Sequence, residues 1–304
     1  MRSTDVRPGS VTPAAKSIRL PDGRALSFRE FGARDGRPVL YCHGTPGASV
    51  EWELFGGDRY ASQAGIRLIA ADRPGMGGSD PQPGRTQGSW AADASALADA
   101  CGLDTFAVLG YSGGTGPAAA CAHSLSGRVS GCALVASVCH ASPGLEEGLD
   151  PNGLRLKRLA RDRPVLGRVV MAAAMGWPTR MAPGYLVRQA MKALPDPDRA
   201  VLSSPGGREA FVATVRESFC QGAAGPREDM ALMATPWDFA PEDIKVPVTI
   251  WQGNQDTFGA RPAMAEHLHR AIPNSRLELL PEGHLSIMWN HRDAILGSLV
   301  AIAG

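Results

Sequence analysis

Apolar and polar positions change their period along this chain. From about residue 17, short apolar runs alternate with longer segments in which apolar residues recur every three or four positions. The runs Ala25–Phe31, Val39–Tyr41, Ile66–Ala70, Phe106–Leu109, Cys132–Ala136, Val246–Trp251 and Leu277–Leu280 predict strands. Several are apolar without a break, the pattern of strands covered on both faces in a parallel sheet. Gln87–Ala100, Gly114–Leu125, Ala260–Ala271 and Asp293–Ile302 predict helices between them. Alternation of this kind predicts an α/β fold, a sheet with helices on both faces.

The alternation stops between His140 and Pro236. Here the pattern predicts helices only, at Leu154–Arg163, Leu166–Met175, Tyr185–Leu194 and Ala210–Phe219, separated by Pro and Gly. An all-helical block entered after one strand and left before the next is an insertion. We read 140–236 as a cap over the end of the sheet, dividing the core into 17–139 and 237–304. A separate small helical domain is the alternative. Residues 1–16 mix Pro, Gly, Ser and charges without periodicity and predict a disordered lead-in.

Bulk properties narrow the function classes. With 304 residues, 44% hydrophobic and 20% charged, the composition is that of an ordinary globular protein. A formal charge of +1 gives no electrostatic reason to expect nucleic acid or an anionic membrane as partner. No basic run is interleaved with aromatics, as a nucleic-acid surface would need. Cys42, Cys101, Cys121, Cys132, Cys139 and Cys220 are scattered, mostly in apolar segments, without metal-ligand spacing, and predict buried free thiols. No apolar h-region follows Arg2 and Arg7, and no stretch approaches the ~18 apolar residues of a membrane span. The expectation is a cytoplasmic protein acting on a small molecule, with neither metal nor cofactor.

The candidate chemistry begins at Gly110-Tyr111-Ser112-Gly113-Gly114. G-x-S-x-G is weak by itself; its context raises it. An apolar strand runs straight into the motif and an Ala-rich helix leaves it. A serine on so sharp a strand-to-helix turn needs small neighbours, which Gly110 and Gly114 supply. The hydroxyl needs a base. Of the seven histidines, His284 is favoured: it lies in Leu280-Pro-Glu-Gly-His284, after the last predicted strand. His43 comes second. His267 and His269, two apart on a helix, point to different faces and suit no metal site. The base needs an orienting carboxylate, and Asp256 follows the strand Val246–Trp251. The loop after the preceding strand, Ser137–Ser142, has no carboxylate. An Asx turn is the bland reading of Asp256. An oxyanion would be held by backbone N–H groups, one from Gly113 and one from Thr45 in His43-Gly-Thr-Pro-Gly47. His43 either packs to hold that loop or touches substrate. Asp72 and Arg73, in Asp72-Arg-Pro-Gly-Met-Gly-Gly-Ser-Asp80, fix their own loop by local pairing.

Taken together, His43-Gly-Thr-Pro-Gly47, Asp72–Asp80, Gly110–Gly114, Gly253-Asn-Gln-Asp256 and Gly283-His284 resemble the α/β-hydrolase superfamily from about residue 17 onward, apart from the helical block. The order Ser112, Asp256, His284 is that superfamily's. The resemblance implies an eight-stranded, mostly parallel sheet flanked by helices, and two-step acyl transfer through an acyl-enzyme. A Ser nucleophile argues against the haloalkane dehalogenase and epoxide hydrolase branches, and His-Gly-Thr-Pro against the HGGG-type esterases. The expected function is serine hydrolysis of an ester, lactone, thioester or amide. C–C cleavage, lyase or cyclase chemistry on the same triad, or a receptor-like member with negligible turnover, are the alternatives.

Within the predicted cap, Val169, Val170, Met171, Met175, Trp177 and Met181 form a Met-rich apolar stretch. It either lines a pocket for a largely apolar acyl substrate, with Tyr111 and His43, or is the inner face of a packed helix. Leu154–Arg163 is basic on one side, as a solvated helical face would be. Asp293–Ile302 offers a surface for a homodimer.

Overall fold

The computed structural model describes residues 12–139, 144–145, 147 and 149–302. Among them, eight strands form one sheet in the order β1-β2-β4-β3-β5-β6-β7-β8. These are β1 (Lys16–Arg19), β2 (Ala25–Gly32), β3 (Arg37–Cys42), β4 (Ile66–Ala71), β5 (Phe106–Tyr111), β6 (Val129–Val135), β7 (Val248–Gly253) and β8 (Ser275–Leu280). β1 and β2 are antiparallel to their neighbours. From β4 to β8 every pairing is parallel. β5, unbroken in apolar character, is buried along its whole length.

Side chains alternate across the sheet, so each strand feeds two cores. Along β3, Leu40 and Cys42 join a cluster with Trp90, Leu97, Cys121 and Leu268. These come from α2 (Trp90–Ala100), α3 (Thr115–Ser124) and α11 (Pro262–Ala271) on one face. Val39 and Tyr41 join Trp52, Phe55, Ile287, Ile295 and Leu299 on the other. There α1 (Gly57–Gln63) and α12 (Ser286–Ile302) cover the sheet.

Between β6 and β7 lie α4 (Pro151–Asp162), α5 (Pro164–Met171), α6 (Trp177–Met181), α7 (Pro183–Ala193), α8 (Asp196–Ser203), α9 (Gly207–Ser218) and α10 (Ala224–Leu232). A π-helical turn, Ala172–Gly176, joins α5 to α6. Their shared core contains Met171, Leu186, Val215, Phe219 and Met230, packed with Val138 and Ala260.

Several boundaries differ from expectation. β1 has no apolar run to announce it, because its residues are largely exposed at the sheet edge. It also places Lys16 in a strand, whereas residues 1–11 of the expected lead-in lie outside the described residues. The expected start of the helical block, at 140, lies outside them too. α12 starts at Ser286, earlier than the expected Asp293, because its first turn carries Ile287 and Met288 into the core. Cys220 is exposed, not buried; the other five cysteines are buried or half-buried.

Candidate active site

β5 delivers Ser112 to a turn that passes through a 3-10 segment, Ser112–Gly114, directly into α3. Ser112 has φ +53°, a left-handed conformation that costs a non-glycine residue on the order of 1–3 kcal/mol. The two flanking glycines are required for space. A Cβ on Gly110 would lie 2.6 Å from the Ala118 Cβ, and one on Gly114 only 2.0 Å from the Cys42 carbonyl oxygen.

The turn aims the hydroxyl at His284. Ser112 Oγ donates to His284 Nε2 (2.9 Å), and His284 Nδ1–H donates to Asp256 Oδ2 (2.6 Å). All three are buried. Asp256 combines both of its sequence readings, because Oδ1 accepts the N–H groups of Phe258 (3.1 Å) and Gly259 (3.3 Å) in a local turn. That turn orients the carboxylate. Burial by itself depresses the His284 pKa. The adjoining Asp256 charge and hydrogen bond outweigh it, with Asp198 and Glu51 adding to them, and the imidazole is raised above its ordinary value. Tyr111, expected at a substrate pocket, instead packs its ring against His284 and donates to the His284 carbonyl (3.2 Å).

The loop His43–Gly47 sits across from the serine turn. A Cβ on Gly113 would lie 2.2 Å from Thr45 Oγ1 and 3.2 Å from the Thr45 nitrogen, so the two backbones nearly touch. His43 is fully buried. Its Nδ1–H donates to Gly44 O (2.8 Å) and its Nε2 accepts the Arg73 N–H (3.1 Å). Desolvation, reinforced by the Arg73 charge, holds it neutral. These contacts belong to a residue that shapes the loop.

Arg73 does more than pair locally. Its fully buried guanidinium donates to the carbonyls of His43 and of Gly44 (2.9 Å) and to Thr45 Oγ1 (3.0 Å). It then forms a two-point ion pair with Asp229 of α10 (Nη2–Oδ2 2.5 Å, Nε–Oδ1 3.1 Å). Asp229 also takes Arg85 (2.7 Å) and the Thr45 hydroxyl. Burial opposes the Asp229 charge, but the two guanidiniums win and hold the carboxyl well below the usual range. Asp72 caps turns instead, accepting from Ser49 N (2.6 Å) and Gly78 N (3.1 Å). Glu51 lies behind the loop, accepting from Gly44 N (2.7 Å) and Tyr41 OH (2.6 Å). Burial pushes its carboxyl up to about 7.

Asp229, Arg85, Glu51 and Asp198 were not singled out from sequence. The partners of Asp229, Arg85 and Asp198 lie far off in the chain, and a carboxylate in an amphipathic helix carries no mark of burial. Glu51 has its partners nearby, at Tyr41 and Gly44, but nothing in its own segment marks it as buried. Two pocket expectations need revision. Trp177 is 69% exposed, so it lines no enclosed pocket: the helix around it is apolar on more than one side, and the packed side belongs to Met171. Met171 is fully buried and Met175 packs against the same cluster.

The chain matches the alpha/beta hydrolase fold family over residues 37–291, and it belongs to that family. It is 27% identical over 273 residues to a putative non-heme chloroperoxidase from Synechocystis sp., covering 89% of this chain and 91% of that one. It is 34% identical over 146 residues to a non-heme chloroperoxidase from Streptomyces lividans, a match spanning 46% of this chain and half the length of that relative. An esterase from Rhodococcus sp. ECU1013 shares the fold with a TM-score of 0.67 at 22% identity, over 95% of this chain and 98% of that one. Among the described residues, no cluster of three His, Cys, Asp or Glu stands ready to hold a metal ion. No helix among them is long and apolar enough to cross a membrane.

Proposed function

We propose that this hydrolase cleaves a carboxylic ester, or a lactone, thioester or amide, through an acyl-enzyme on Ser112. The observation that carries the proposal is the unbroken chain Ser112 Oγ to His284 Nε2 to Asp256 Oδ2 at a serine with φ +53°. His284, as general base, takes the hydroxyl proton as Oγ attacks the acyl carbon. Asp256 keeps the proton on Nδ1, which leaves Nε2 free to accept, and stabilises the imidazolium that forms. The negative charge on the carbonyl oxygen is held by the Gly113 and Thr45 N–H groups. His284 returns its proton to the leaving group. Water, activated by the same imidazole, then releases the acid and restores Ser112. The helical block between β6 and β7 acts as a cap that selects a small to medium, largely apolar acyl group.

One observation favours a second acyl acceptor: the relatives from Streptomyces lividans and Synechocystis sp. are named as a non-heme chloroperoxidase and a putative one. Hydrogen peroxide attacking the acyl carbon in place of water would release a peracid and return the proton to Ser112. The test is turnover of short-chain p-nitrophenyl esters by wild type, Ser112→Ala and His284→Ala, with and without peroxide. Turnover lost in both variants supports the proposal, and peracid formed only by wild type supports the second acceptor. Ester turnover equal in wild type and Ser112→Ala overturns both.

A further inference from the structure

We propose that Asp198, in the first turn of α8, is a positioning residue for His284, so that the helical block completes the proton-transfer apparatus. This rests on the functional reading above. Asp198 is fully buried. Its carboxylate crosses from the helical block to the end of the sheet and accepts three consecutive backbone N–H groups: His284 to Oδ2 (2.7 Å), and Leu285 and Ser286 to Oδ1 (both 2.9 Å). The last two are among the unpaired donors that open α12, capped here by a residue 87 and 88 positions away. Tyr111 holds the His284 carbonyl, so both peptide groups of His284 are fixed, and its ring has little freedom left.

The turn is shaped around this carboxylate. A Cβ on Gly283 would fall 2.4 Å from Asp198 Oδ1 and 2.5 Å from Oδ2; a larger residue would expel it. Burial raises the Asp198 pKa above its ordinary value, while the backbone hydrogen bonds, charge-assisted when the carboxyl is ionised, oppose that rise and favour the carboxylate. The charges facing His284 are Asp256 from the loop after β7, Asp198 from α8 and Glu51 from the 3-10 segment after β3. Lys157 of α4 reaches toward the Gly259 carbonyl beside the ring (3.5 Å). Asp198 therefore acts in two ways: it locks the turn, and its negative charge favours the imidazolium that forms when Ser112 loses its proton.

Asparagine at 198 keeps the shape but cannot keep the bonds. Whichever way its amide lies, an NH2 group confronts at least one backbone N–H. The experiment compares wild type, Asp198→Asn, Gly283→Ala and, as control, Asp196→Asn, an exposed residue of the same turn. Asp198→Asn is expected to lower kcat by roughly tenfold to a hundredfold with KM little changed, the cost of a misplaced base. Loss of the negative charge lowers the His284 pKa, so the acidic limb of kcat/KM moves down by about half to one pH unit. Gly283→Ala, which displaces the carboxylate but keeps its charge, should lose kcat with a smaller move of that limb. Asp196→Asn should match wild type. The proton resonance of His284 Nδ1–H, titrated by NMR, reports the same pKa shift without turnover. Folded Asp198→Asn with wild-type kcat and an unmoved limb would overturn the proposal. So would activity lost only in proportion to unfolded protein, with the resonance unmoved. A wild type without ester turnover would count against the functional reading alone, and the NMR titration would still decide the role of Asp198.

Discussion

Replacing Asp229 by asparagine removes the counter-ion from two buried guanidiniums while keeping the shape of the side chain. In wild type, Asp229 contacts Arg73 at 2.5 and 3.1 Å and Arg85 at 2.7 Å, and Arg73 is wholly inaccessible to water. Breaking a buried pair from one side costs about 3–5 kcal/mol, because the charge left behind has lost both water and partner. Set against a total stability of about 5–15 kcal/mol, the variant should fold at 25 °C but melt on the order of 10 °C lower. The depressed Asp229 pKa fixes the pH dependence. A group whose folded pKa lies below its unfolded value stabilises fully above the unfolded value, so the deficit should be constant from pH 5 upward. It should shrink below about pH 4, where acid protonates Asp229 in the unfolded wild-type chain while the folded carboxylate stays charged. Arg73 also holds the His43 and Gly44 carbonyls and the Thr45 hydroxyl. A guanidinium freed to shift moves the Thr45 N–H, and kcat should fall roughly tenfold to a hundredfold. Urea unfolding at pH 3.5, 5 and 8, with ester kinetics at pH 8, measures each term. An Asp229→Asn protein within 1 kcal/mol of wild type (about one-third of the smallest expected loss) and with unchanged kcat would refute the reasoning.

Other substitutions probe separate parts of the account. Glu51→Gln should become more stable relative to wild type as pH rises. The wild-type carboxyl is raised to about 7, so folding loses up to about 3 kcal/mol between pH 4.5 and 7, a loss glutamine cannot suffer; parallel urea titrations at pH 5 and 8 check this. Gly114→Ala should be poorly folded, since its Cβ would meet the Cys42 carbonyl at 2.0 Å, an overlap costing about 1–3 kcal/mol or more. Gly127→Ala, where a Cβ meets open space, should melt with wild type. Asp256→Asn should cut kcat by a factor on the order of 10⁴, because the His284 tautomer is no longer held, while the folded structure, judged by circular dichroism, persists.

The centre of this fold was legible because its chemistry is local. β5 and the stretches Val39–Cys42 of β3 and Cys132–Val135 of β6 are apolar and buried, the pattern of parallel strands covered on both faces. The strand-turn-helix around Ser112 was likewise visible, since glycine at 110 and 114 answers a steric demand a few residues away. What escaped was decided at long range. Asp198 and Asp229 lie in helices of mixed polarity, indistinguishable from solvated carboxylates until α8 and α10 dock; their partners stand 86 and 156 residues away. Glu51 reads as a surface residue because the aromatic packing that buries it, Tyr41 on Trp52, joins two separate segments. Trp177 misled for the converse reason. A run that is apolar all round states that some side is buried without saying which, and here Met171 faces inward while Trp177 faces solvent.

The most direct test of an activated Ser112 is covalent capture. Wild-type protein and Ser112→Ala would each be incubated with a fluorophosphonate and weighed intact by mass spectrometry, with the modified peptide sequenced. The account predicts one adduct on wild type, located at Ser112, and none on the variant. A folded wild type that takes no adduct, or an adduct that persists in Ser112→Ala, would contradict it.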